Sequence, residues 1–261
     1  MSIDRRTLLR GALACACCVK AGAAIASDAP AHGGAAAAAH WGYEGEGGPE
    51  KWGELQSDFK VCQLGLEQTP IDLSNGIKGD PDSVDYDYKS SALRIVNNGH
   101  TIQVNADPGS ACVIGGKRYE LLQFHLHHPS EHLLAGKGFD LECHFVHKSD
   151  AGALAVTGVL VRPGTANMAL KPLFESMPAK EGPELRVGSA IDIADIVPKS
   201  GGYFRYMGSL TTPPCSEGLT WTVHKQPIEA SVDQIRKFAA LFPNNARPVQ
   251  KRNRRFLIDA S

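Results

Sequence analysis

Short apolar runs with two-residue alternation recur through the middle of the chain: Leu93–Val96, Thr101–Asn105, Leu121–His127, Leu141–His147 and Leu154–Val161. Turn residues bound each run, which is the pattern of strands. Asn97-Asn98-Gly99 is a turn signal between the first two. Helical periodicity is scarce. Asn167–Ser176 and Val232–Phe242 are the two predicted helices, the second opened by Ser231 as an N-cap. Many strands with few helices predict a mainly β (α+β) fold with a large, mostly antiparallel sheet.

The pattern differs before residue 41. Asp4-Arg5-Arg6-Thr7-Leu8-Leu9-Arg10 puts paired arginines ahead of leucines, an Ala-rich stretch follows, and Ala24-Ile25-Ala26 is a small-x-small cleavage site. Residues 1–26 therefore read as an export signal of the twin-arginine class, too short to span a bilayer. Residues 27–40 are Ala/Gly-rich and nearly free of core-forming side chains, as a linker would be. From Trp41 to Ser261 there is no second linker and no repeat, so one domain is expected over 41–261. The location implied is periplasmic or secreted.

Composition is that of an ordinary globular protein, 43% hydrophobic and 21% charged. The formal charge is -1, and loss of residues 1–26 would remove four cations and one acid, leaving about -4. Such mild acidity gives nucleic-acid binding no support. Cys15, Cys17 and Cys18 fall in the export segment, so four cysteines remain: Cys62, Cys112, Cys143 and Cys215. In an oxidising compartment four cysteines admit three full pairings, and composition does not choose among them. Oligomeric state, monomer or homodimer, is equally undetermined.

The chemistry concentrates in Gln123-Phe124-His125-Leu126-His127 and Glu142-Cys143-His144-Phe145-Val146. Alternate side chains of a strand share a face. His125 and His127 thus point the same way with Gln123 beside them, and Glu142, His144 and Val146 share a face on the second strand. If the strands are neighbours, three imidazoles converge, leaving a fourth position open as catalytic zinc requires. Gln123 and Glu142 are then placed to accept hydrogen bonds from the ligands' other ring N–H groups. By the same parity His128, His132 and His147 point away and read as structural or surface histidines, and His32 and His40 belong to the linker.

His125-x-His127-x-x-x-Glu131 also resembles the first metal motif of the cupin barrels, with Glu131 as a ligand. A cupin needs a further histidine in a second motif. Gly158–Gly164 loosely suggests that motif, but the next histidine after His147 is His224.

Further motifs decide the matter. Trp41-Gly42-Tyr43, Gln68-Thr69-Pro70-Ile71-Asp72-Leu73, Asn97-Asn98-Gly99-His100, Ser130-Glu131-His132, Glu142-Cys143-His144-Phe145-Val146-His147 and Ser209-Leu210-Thr211-Thr212-Pro213-Pro214-Cys215 follow one another in order. Together with the His-x-His strand they resemble the α-carbonic anhydrases of bacterial type, over residues 41 to about 250. His128, where animal members commonly carry tryptophan, and a shortened gap between His127 and His144 are modest departures.

That resemblance implies a twisted sheet with short peripheral helices and the reversible hydration of carbon dioxide to bicarbonate and a proton. It implies Zn2+ on His125, His127 and His144, with a zinc-bound hydroxide attacking CO2. It gives Thr211 and Glu131 the task of orienting that hydroxide. Val146, Val156, Leu210 and Trp221 become the apolar wall of the substrate pocket, with Thr212 lining the same cleft. His100 becomes the proton shuttle, and Tyr43 and Asn98 hold the relay waters. It also implies a Cys62–Cys215 disulfide, leaving Cys143 as a small buried apolar group. A non-catalytic binding module on the same fold would lack one of the ligands, and all three histidines are present.

Overall fold

A computed structural model of the chain describes residues 40–261. The expected export signal and most of the linker lie outside the described residues.

Among the described residues the fold is dominated by one thirteen-stranded sheet. Its main path runs Leu185–Asp192, Ser90–Asn97, Ile102–Asn105, Lys117–His127, Leu141–Lys148, Leu154–Pro163, Glu217–His224, Tyr203–Ser209, Ile258–Ala260, Ile77–Lys78. All five strands predicted from alternation are present, each within a residue or a few of the expected bounds. Most neighbours are antiparallel. Leu154–Pro163 is parallel to both Glu217–His224 and Ile228–Ala230, and Ile258–Ala260 is parallel to Ile77–Lys78. The turn after Asn97 forms as expected: Gly99 takes φ +83, a left-handed conformation that glycine adopts without steric cost.

The sheet separates two cores. On one face Phe124, Leu126, Cys143 and Phe145 join Leu93, Ile95, Val159 and Phe238 in the larger cluster. Phe124 and Phe145 are direct cross-strand partners with ring centroids 5.4 Å apart, and burial of each phenyl ring contributes about 1.5–3 kcal/mol. On the other face Val156, Tyr206, Trp221 and Leu257 form a second cluster, joined by the half-buried Val146 and Leu210. The strand Leu141–Lys148 is buried on both faces, so its apolar residues serve the first core while Glu142, His144 and Val146 turn to the second.

The helix Val232–Leu241 opens with a capping box: the Ser231 hydroxyl accepts from the Gln234 N–H, and the Gln234 side chain accepts from the Ser231 N–H. The other helix is shorter than predicted, Lys171–Ser176 in place of Asn167–Ser176. Asn167 explains the difference. Its side chain accepts from the Leu170 N–H and donates to Glu229 O, holding 167–170 as a turn before the helix begins.

A disulfide joins Cys62 to Cys215, 153 residues apart in sequence. It ties the short helix Val61–Leu64 to the loop that follows Thr211 and Thr212. Cys112 and Cys143 are buried free thiols, both pushed up by burial, Cys112 to about 12. Neither ionises near neutrality, as expected of a small apolar side chain at position 143.

Candidate metal centre

The three histidines meet because of register. His125 and His144 are directly paired across neighbouring antiparallel strands, His127 faces Glu142, and Gln123 faces Val146. Imidazole centroids lie 5.0 Å apart for His125–His127, 5.4 Å for His125–His144 and 4.5 Å for His127–His144. One nitrogen from each ring lies within 4.8 Å of the other two.

The second nitrogen of every ring is anchored. His125 Nδ1 donates to Gln123 Oε1 at 2.8 Å, His144 Nε2 to Glu142 Oε1 at 2.9 Å, and His127 Nδ1 to the carbonyl of Asn245 at 2.7 Å. Gln123 and Glu142 stand where strand parity put them. The Asn245 carbonyl had no signal in the sequence, since it is a main-chain atom 118 residues away. The Asn245 side chain is itself fixed, accepting from the His128 N–H and donating to the carbonyls of His100 and Leu126.

These anchors leave Nε2 of His125, Nε2 of His127 and Nδ1 of His144 as lone-pair donors around one centre. His127 Nε2 is buried and has no hydrogen-bond partner. Burial lowers the pKa of all three: His127 to about 4, with His125 held well below its ordinary value by burial and by the other two rings. Neutral imidazole is the ligating form. Three neutral nitrogen donors, oriented toward one point, fit a small divalent cation such as zinc.

Two carboxylates sit beneath the ligands. Burial alone would raise Glu142, but His132 and His144 outweigh it and hold the carboxyl well below the usual range. Glu142 Oε2 accepts from the backbone N–H groups of Glu131 and His132. Glu131 is different: burial pushes it up to about 7 against the pull of His144 and the Arg247 N–H. Its Oε2 lies 3.6 Å from His127 Nε2 and 3.7 Å from His144 Nδ1, with no hydrogen-bond partner. The Thr211 hydroxyl is beside this carboxyl, so the structure brings the pair together without closing a bond to Oε2.

A cavity of about 120 Å3 opens above the ligands, and His125, His127, Gln123, Thr212, Tyr43, Asn98 and His100 all border it. Val146, Val156, Leu210 and Trp221 pack together in the second core, with the Trp221 ring 4.9 Å from that of His144. Asn98 Oδ1 accepts from the N–H groups of His100 and Thr101, fixing the turn that carries His100. The His100 ring stacks on Trp41 at 3.6 Å, and burial followed by the charge of nearby His40 lowers its pKa. His40, assigned to the linker in sequence, lies with its ring 5.1 Å from that of His100.

His132 is not at the surface. It is fully buried, donating through Nδ1 to Glu142 Oε1 at 2.7 Å and meeting the Tyr206 hydroxyl through Nε2 at 2.7 Å. Parity does not govern it, because the strand ends at His127. His147 does point to the opposite face, where it is buried against Tyr88. His128 is partly exposed, with Nδ1 donating to Pro243 O. Arg247, also unsignalled in sequence, is buried: its N–H binds Glu131 Oε1, and its guanidinium binds the carbonyls of Thr69 and Cys62.

The comparisons with known proteins agree with this geometry. The model of the eukaryotic-type carbonic anhydrase family matches residues 47–259. The carbonic anhydrase of Nostoc sp. is 47% identical over 227 residues, covering 85% of this chain and 86% of that protein. That of Pectobacterium carotovorum is 41% identical over 220 residues, covering 84% and 90%. The α-carbonic anhydrase of Thermovibrio ammonificans, solved with the inhibitor sulfanilamide, superposes with a TM-score of 0.82 at 42% identity, covering 84% of this chain and 99% of that one. In sequence, in fold and in its converging histidines, this chain belongs to the eukaryotic-type, or α, carbonic anhydrase family of enzymes.

Proposed function

We propose that the chain hydrates carbon dioxide reversibly at a zinc ion held by His125, His127 and His144, and loses the proton through His100. The observation that carries this reading is the buried, unpartnered Nε2 of His127, in a ring of three imidazoles whose other nitrogens are all anchored. Zinc bound there supplies a water acidic enough to ionise near pH 7, carbonic anhydrase being the reference case for that effect.

The protein's own residues do the rest. The Thr211 hydroxyl accepts a hydrogen bond from the nucleophile and donates its own O–H to Glu131, whose free Oε2 is the available acceptor. Glu131 accepts from the Arg247 N–H with its other oxygen, which fixes the carboxylate plane. Val146, Val156, Leu210 and Trp221 pack in the second core, where Trp221 meets His144, and in this reading are the apolar side that suits an uncharged, weakly polar substrate; Thr212 borders the cavity. His100 stands at the cavity mouth, where an imidazole can take a proton from water and yield it to buffer. Tyr43 and Asn98 border the space between as sites for relay water.

The protein acts outside the cytoplasm in this reading, after export by the twin-arginine route. The Cys62–Cys215 disulfide supports an oxidising compartment. No helix among the described residues is long and apolar enough to cross a membrane.

The test is metal analysis joined to stopped-flow CO2 hydration. One zinc per chain is expected, with activity lost on chelation and restored by zinc. Full hydration activity in metal-free protein would refute the proposal.

A further inference from the structure

One concave surface among the described residues lies apart from the histidine cavity. It is a groove of about 840 Å3 beside the edge of Tyr203–Ser209, bordered by the C-terminal run 253–258. Its floor is apolar: Leu66, Met207, Phe256 and Ile258 contribute. Phe256 is 71% exposed, Leu66 69% and Met207 43%, although the interior of the fold has abundant apolar surface to join. Its walls are cationic. Arg205, Arg254 and Arg255 line it against a single acid, Glu67.

The arginines differ in their commitments. Arg255 is spent on the carbonyls of Gln68, Met207, Lys251 and Arg252. Arg254 is exposed and has neither an ion-pair nor a hydrogen-bond partner among the described residues. Arg205 uses Nε on Thr222 and stacks over Tyr203, and its Nη2 is buried without an acceptor. A groove with a greasy floor and the exposed, unpartnered guanidinium of Arg254 on its wall is complementary to an alkyl chain ending in an anion. A second copy of the chain is a poor occupant, because a two-fold contact would set the same cations against one another. The concave shape suits one chain lying lengthwise better than the flat face of a bilayer.

We propose that this groove binds a single-chain anionic amphiphile, of the class of a medium- or long-chain alkyl carboxylate, with the chain along Leu66, Met207 and Phe256 and the head group at Arg254. This site is separate from the histidine cavity, and the proposal stands or falls independently of the hydration chemistry.

Methionine methyl NMR tests it on the metal-loaded protein. The chain has four methionines, of which Met207 alone lines the groove, so Met168 and Met177 serve as internal controls. Decanoate, below its micellar concentration, should shift the Met207 methyl saturably and leave the controls unmoved. Arg254→Glu and Phe256→Ser should each weaken that binding at least ~10-fold with CO2 hydration unchanged. Butyrate and decyltrimethylammonium, lacking the chain and the negative charge in turn, should leave Met207 unmoved. Equal binding of either control compound would overturn the proposal, as would no shift with decanoate or no effect of the two variants. Pull-down by phosphatidylglycerol vesicles without a decanoate shift would assign the patch to a membrane surface and overturn it too.

Discussion

Glu142 Oε1 accepts hydrogen bonds from two buried histidines at once, His144 at 2.9 Å and His132 at 2.7 Å. Only His144 belongs to the convergent triad. His132 orients the carboxylate from behind through its hydrogen bond, and the Tyr206 hydroxyl holds His132 in turn. The ligand's ring orientation therefore depends on a chain of groups that never reaches the cavity.

Glu142→Ala removes the acceptor that fixes His144 and should weaken zinc retention about 10–100-fold, the range for supporting residues of metal sites. His132→Phe keeps the carboxylate and should weaken it less. Competition against a chelator of known affinity gives both values, with thermal unfolding of the loaded proteins as a control for folding. Unchanged zinc affinity in Glu142→Ala would remove Glu142 from the metal centre.

His100→Ala should lower kcat by about 10^2-fold in dilute buffer, the lower end of what a positioned proton carrier contributes, with kcat/KM nearly unchanged. Added imidazole should restore much of the loss. A parallel fall in kcat/KM would mean that His100 acts on the hydration step and not on proton release.

Acid should destabilise the fold through two histidines remote from the triad. His147 and His224 are each lowered to about 4, chiefly by burial, against an unfolded value near 6.5. Between those values the unfolded chain binds the protons more readily, so stability is fully present above about pH 6.5 and falls as pH drops to about 4. The loss is on the order of 3 kcal/mol for each. Urea midpoints from pH 7 to 4 should fall accordingly, and His147→Gln should flatten that slope. An unaltered slope in the variant would show that His147 does not titrate as described.

Reduction of Cys62–Cys215, or its replacement by two serines, should cost about 2–5 kcal/mol. The bridge closes a long loop and anchors the segment after Thr212. Because Thr211 lies immediately before that segment, kcat should fall as well, before global unfolding. Urea titration with parallel hydration assays separates the two effects.

The triad was legible because a strand's two-residue period puts His125 and His127 on one face, and the same rule brought in Gln123 and Glu142. It failed at His132, where the strand has already ended, and it could not reach Asn245 and Arg247, which act through a main-chain carbonyl and a main-chain N–H. The sheet and its five central strands were legible from alternation. The parallel pairing of Leu154–Pro163 with Glu217–His224 was not, since alternation carries no strand direction. The disulfide and the proposed apolar wall came only from family resemblance: any of three cysteine pairings was open, and Val156 or Trp221 alone reads as core.

The central claim, that His125, His127 and His144 hold a catalytic zinc, is tested most directly by His144→Ala assayed for zinc content and stopped-flow CO2 hydration on the same sample. The predicted result is a folded protein with substoichiometric zinc and hydration reduced by at least ~10^2-fold. Stoichiometric zinc with undiminished hydration would contradict the account.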